Sequence, residues 1–67
     1  MHIDFTNIPS YVDTHFIAMK PNGKGALRFW GMCRDRADAK QTAKEEDNIV
    51  IVELDEEDLK LIKERGI

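Results

Sequence analysis

YVDTHFIAMKPNGKGALRFWGMC, residues 11–33, is the stretch on which the fold turns. Tyr11 to Met19 is rich in β-formers, and Ala26 to Met32 is a second such run. Pro21-Asn22-Gly23 lies between them. Pro21 suits the second position of a type I turn, where its fixed φ is useful. Gly23 suits the left-handed position that closes a three-residue hairpin loop. A two-residue Asn22-Gly23 turn is the competitor, but it would leave Pro21 where the ladder wants an N–H.

The three-residue loop sets Lys20 opposite Lys24, and that register sorts the side chains. One face then carries Tyr11, Asp13, His15, Ile17 and Met19 with Leu27, Phe29 and Cys33. The other carries Val12, Thr14, Phe16, Ala18 and Lys20 with Lys24, Ala26, Arg28, Trp30 and Met32. The first face is aliphatic; the second mixes aromatics with cations.

Downstream of the hairpin, residues 36–46 read as a helix. Asp35 is its N-cap, and Ala37, Ala39 and Ala43 offer a small-residue face. Lys40 and Lys44 fall on one outer stripe at i, i+4. Residues 48–54 form a strand whose consecutive β-branched residues, Ile49-Val50-Ile51-Val52, call for cover on both faces. A second helix spans 56–65, capped by Asp55, with Leu54 and Leu59 placed as a hydrophobic staple. Its acidic start and basic end suit the helix dipole. Leu59 and Ile62 face inward, Leu61 lies to the side, and Gly66 ends the helix so that Ile67 can fold back.

Upstream, residues 1–10 form an N-terminal segment. Ile3 and Phe5 alternate with polar residues, which admits a short extra strand over His2 to Phe5, ended by Pro9.

The order β-β-α-β-α gives a small α+β domain covering residues 1–67. Its three-stranded, mostly antiparallel sheet has the order 2-1-3, with the third strand parallel to the second across a helical crossover. A chain of 67 residues buries only ~60% of its unfolded surface, so self-association or a partner would add burial.

Hydrophobic residues make up 42% and charged residues 34%, a globular mixture. The net charge of -3 hides two unlike ends: residues 1–44 carry +3 and residues 45–67 carry -6. Such asymmetry steers a charged partner or is satisfied within the fold. No apolar run approaches the ~20 residues that cross a bilayer. The N-terminus lacks a secretion pattern, and the one cysteine, Cys33, suits a reducing compartment. The expectation is a cytoplasmic protein without a membrane partner.

Asp13, His15 and Cys33 share a face in this register and are the types of a nucleophilic trio. They lie on strands and point to the core, so the expectation is no enzyme and no cofactor. His2 and His15 are the only histidines. The acidic runs Glu45-Glu46-Asp47 and Asp55–Asp58 lack the spacing and glycine of a calcium loop. Gly23, Gly25 and Gly31 do not have the spacing of a nucleotide loop.

Phe16, Arg28 and Trp30, flanked by Lys20 and Lys24, are the candidate binding residues. An exposed Trp beside an Arg is hot-spot composition, which points to a non-catalytic protein–protein interaction module of accessory, adaptor or inhibitor type. Single-stranded nucleic acid or RNA could stack on the same face, with Lys40 and Lys44 extending it if the first helix lies nearby. A chain with pI near 5.2 argues against that. A structural homodimer is the third reading. The first two require Trp30 to be exposed rather than covered by the C-terminal helix; a homodimer would use either the exposed side of the third strand or the Trp30 face.

Overall fold

A computed structural model of the chain describes residues 5–23 and 25–67. The proposed strand over His2–Phe5 lies outside the described residues except for Phe5, which begins a 3-10 turn, Phe5–Asn7. The regular elements are β1 (Phe16–Pro21), β2 (Leu27–Cys33), α1 (Arg36–Glu45), β3 (Val50–Glu53) and α2 (Glu56–Arg65). The sheet order is β2-β1-β3, and β1 is antiparallel to both neighbours. The α+β architecture and strand order are those expected from the sequence.

The hairpin turns two residues later than expected. Lys20 pairs with Arg28 and Pro21 with Leu27, and the Asn22 N–H donates to the Ala26 carbonyl at 2.9 Å. The chain therefore reverses between Asn22 and Ala26. Gly23 and Gly25 adopt φ of 84° and 82°, which side-chain-bearing residues rarely take. Two available glycines outweigh the preference of Pro21 for a turn. The central strand tolerates Pro21 because its pairing with β3 has already stopped at Met19–Val50. Tyr11–His15, expected as strand, instead forms turns and bends before β1.

A bulge corrects the expected faces. The pairs run Phe16–Cys33, Ile17–Met32 and Ala18–Gly31, then slip to Met19–Phe29 and Lys20–Arg28. Trp30 is the extra residue on β2. An inserted residue reverses the alternation beyond it. Cys33 therefore joins the Phe16/Ala18 face, and Met32 the Ile17 face, the opposite of the expected sorting.

The sheet is covered on both sides, as the β-branched run of β3 requires. On one side Ile8, Val12, Ile17, Met19, Leu27, Leu54 and Ile62 form the larger cluster, with Val50, Val52 and Leu59 against it. This side belongs to α2 and the N-terminal segment. On the other, Ala18, Cys33 and Ala39 form a smaller cluster under α1, with Phe16, Ile49 and Ile51 beside it. Val12 was expected on the face of Phe16, Ala18 and Trp30. It lies on the α2 side because the chain turns there, its N–H donating to the Pro9 carbonyl at 3.1 Å.

The helix ends are set by their caps. Asp35 accepts from the Asp38 N–H at 2.9 Å. Asp55 and Asp58 form a reciprocal capping box, with bonds of 2.8 and 3.1 Å. Of the three alanines in α1 only Ala39 is buried; Ala37 is about 200° away around the helix and faces solvent. Asn48, at φ 62°, turns the chain from α1 into β3, a conformation asparagine tolerates. Ile67 does not fold back on α2, since its side chain is 78% exposed. Its backbone instead clasps the N-terminal segment, donating to the Ile8 carbonyl and accepting from the Ser10 N–H, each at 3.0 Å.

Candidate functional site

Trp30 decides the site. Its position as the extra residue of the bulge leaves it 45% exposed, and it packs against neither core cluster. The C-terminal helix packs on the opposite side of the sheet, with Ile17 and Met19, and does not cover it. The Lys20 Nζ lies 5.7 Å from the centre of the indole ring, within reach of a cation–π contact. Lys20 also meets Glu46, at the end of α1, at 3.6 Å. This places the Trp30 ring on the α1 side of the sheet, with Lys20 and its cross-strand partner Arg28. Arg28 is exposed and makes none of the ion pairs among the described residues.

Phe16 shares that side but not that end. It lies four residues from Lys20 on β1, roughly 13 Å away. It is half-buried against the Ala18/Cys33/Ala39 cluster. The Arg36 guanidinium sits 5.3 Å from its ring centre and 3.6 Å from Glu53. The structure thus gathers Lys20, Arg28 and Trp30 and leaves Phe16 in a separate Arg36–Glu53 arrangement. Lys24 lies outside the described residues.

No family model, curated protein or solved structure matches the chain. The functional reading therefore rests on the chemistry of the residues.

Helix α1 lies on the Trp30 side of the sheet, yet its lysines point elsewhere. Thr42 faces β2, where the Cys33 thiol approaches its hydroxyl at 4.0 Å. Arg36 faces the opposite way, toward Glu53 on β3. At 100° per residue, Lys40 and Lys44 fall on the Arg36 side of the helix. They do not extend the cationic ground around Trp30.

The nucleophilic trio is divided. Cys33 is buried under α1, and burial pushes its thiol above the ordinary value of 9.0. The Thr42 contact works against that rise, and the Asp38 charge adds to it. Asp38 is held by its own side of the helix, accepting from the Arg34 N–H at 2.9 Å. His15 is engaged on the far side of β1, beside the end of β3: its Nδ1–H donates to the Leu54 carbonyl at 2.8 Å, and its Nε2 is 3.5 Å from Glu56.

Two grooves flank Glu56. One of about 340 Å³ is lined by Val12, Asp13, Glu56, Leu59, Lys60 and Lys63. The other, about 520 Å³, is lined by His15, Glu53, Leu54, Asp55 and Glu56. Among the described residues, no three His, Cys, Asp or Glu side chains gather to hold a metal ion. No helix among them is long and apolar enough to cross a membrane.

Sequence reasoning missed two features of this region. The bulge has no sequence signature apart from Gly31 inside a strand, which is the one available hint. Met32, 43% exposed on the α2 side of the same strand, was assigned to the wrong face for the same reason.

Proposed function

We propose that the protein is a small, non-catalytic interaction module that binds another protein through the Trp30 end of β2. The carrying observation is the exposed indole on a strand at the sheet edge, with Lys20 over its ring and Arg28 beside it. A large, rigid aromatic with neighbouring cations is the composition that contributes most at protein interfaces. Trp30 and Arg28 are the central contacts, and Lys20 orients the ring. The buried free thiol of Cys33 supports a reducing, cytoplasmic setting.

Nucleic-acid binding by the same face has less support, since Lys40 and Lys44 fall on the Arg36 side of α1 and outward, away from Trp30. Salt separates the two. Binding to phosphates weakens steeply as salt rises, because each contact releases counterions. A complex anchored on Trp30 depends on salt far less.

The test compares the proteins retained from a lysate by the native chain and by Trp30→Ala. Specific partners are lost with Trp30→Ala and persist at raised salt with the native chain. Equal retention by both forms removes Trp30 from the interface. Retention of oligothymidylate that collapses with salt replaces the reading with nucleic-acid binding.

A further inference from the structure

Gly31 sits in the middle of an edge strand, next to the bulge at Trp30. Its backbone is not left-handed, since only Gly23 and Gly25 among the glycines have positive φ. A Cβ built on it meets nothing within 4 Å beyond its chain neighbours Trp30 and Met32. A glycine inside a strand weakens that strand. It otherwise marks a place where another backbone approaches closely. The bulge beside it does not require glycine without a positive φ.

The neighbours of Gly31 give this opening a shape. Gly31 pairs with Ala18 and therefore faces α1. Trp30 stands before it on that side, and the Cys33–Thr42 contact lies beyond it. Met32 projects from the opposite side of the strand, also exposed. The strand thus offers one bare backbone position between a tryptophan on one face and a methionine on the other. Arg28, three residues before Gly31, is exposed and makes none of the ion pairs among the described residues. Lys20 and Arg34, by contrast, are matched by Glu46 and Asp38.

We propose that β2 seats an extended, acidic peptide segment of a partner, which passes over Gly31 between Trp30 and Met32 and places a carboxylate on Arg28. This rests on the interaction reading above and specifies its partner. Charge decides the occupant. A second copy would bring Arg28 and Arg34 of its own strand toward this one, whereas an acidic segment neutralises Arg28. An extended segment also takes affinity from its main chain and specificity from alternate side chains, as peptides added to a sheet edge do.

A phage-displayed library of random linear peptides, selected on the immobilised full chain, tests this. Enriched sequences are synthesised, labelled and titrated by fluorescence anisotropy against the native chain, Gly31→Val, Gly31→Ala, Arg28→Glu and Trp30→Ala. The selected peptides carry Asp or Glu alternating with apolar residues. Gly31→Val and Arg28→Glu each weaken them about tenfold or more. Gly31→Val unfolds at the same or a higher denaturant midpoint than the native chain. If it does not fold, Gly31→Ala gives the same pattern with a smaller loss.

Several results overturn the proposal: no enrichment, enrichment of basic peptides, or equal binding by folded Gly31 variants. So does a dimer, detected by sedimentation, that Gly31→Val dissociates, because the strand then seats a second copy. Oligothymidylate binding lost in Gly31→Val overturns it in favour of nucleic acid. Peptides that ignore the Gly31 variants but need Trp30 sink the strand seat alone. Peptides and lysate partners indifferent to Trp30 sink the interaction reading with it.

Discussion

Two glycines of this chain are opposites at the level of a single atom. A Cβ at Gly66 would lie 2.5 Å from the Ile62 and Ile8 carbonyl oxygens and 3.0 Å from the Ser10 nitrogen. All three are backbone atoms, so nothing flexible can move aside. Its φ of -68° is ordinary, and the demand for glycine is therefore steric. Gly66→Ala is expected to cost about 1–3 kcal/mol, as overpacking of a rigid site does, read as a lower urea midpoint. Gly31→Ala, with open space around it, is expected to be neutral or to stabilise by up to about 1 kcal/mol. Equal effects of the two would break the contrast. Cys33 gives a second residue-scale expectation. Burial raises its folded-state pKa above about 9.0. Below pH 9 the thiol is neutral folded and unfolded, and stability does not depend on it. Above pH 9 the unfolded chain loses the proton first, so it binds fewer protons than the folded chain and stability falls. Urea midpoints between pH 8 and 10.5 are expected to fall more steeply for the native chain than for Cys33→Ala; parallel slopes would contradict a buried, resistant thiol.

Elements carry information in proportion to how local their cause is. The cap of α2 is local: Asp55 and Asp58 satisfy each other's backbone N–H groups within four residues. Asp55→Ala is expected to cost about 1 kcal/mol, measured as a lower melting temperature followed by far-ultraviolet circular dichroism. Asp55→Asn should retain most of the capping, and a matching loss in both would point to charge rather than the cap. This locality is why both helices and their N-caps are legible in the sequence. The β-branched run of β3 is legible for a related reason, since it states its double burial residue by residue. The register of the hairpin is not local. Pro21-Asn22-Gly23 and Gly23-Lys24-Gly25 are both credible loops, and both put Ile17, Met19 and Leu27 on one face, so the alternation of the strands does not choose between them. The bulge at Trp30 is less local still. It places Trp30 beside Lys20 while turning Cys33 inward to Ala39, and no neighbour in sequence specifies both. The candidate site was legible as a set of residue types, with Lys20, Arg28 and Trp30 on one side. Its extent was not, because the separation of Phe16 from Arg28 and Trp30 follows from the shifted hairpin register, which pairs Phe16 with Cys33, and the turning of Lys40 and Lys44 from how α1 crosses the sheet.

The molecule as a whole is a sheet with unequal layers on its two faces. On the α2 side, seven buried residues, Ile8, Val12, Ile17, Met19, Leu27, Leu54 and Ile62, make the main cluster. On the α1 side the buried cluster is Ala18, Cys33 and Ala39. Apolar burial stabilises roughly in proportion to area, at about 25 cal/mol per Å², so small side chains give α1 much the weaker hold. The N-terminal segment strengthens the other layer further, because Ile8 is fully buried and the tail at Ile67 bonds across to Ile8 and Ser10. Regions with few buried apolar contacts open before the rest of a domain. The α1 layer is therefore expected to open as a unit at lower free energy than β1 and α2. Native-state amide hydrogen exchange should show the α1 amides exchanging through this partial opening, while β1 and α2 exchange only with global unfolding. Ile62→Ala, in the main cluster, should cost about 2–5 kcal/mol and lower the global limit. Ala39→Gly should instead speed α1 exchange well beyond its effect on β1. Since Trp30 stands on the α1 side of β2, a partner seated there would rest on the layer that opens most readily. Protection of α1 equal to that of β1 would show the two layers to be one cooperative unit, and the inference from cluster size would be wrong.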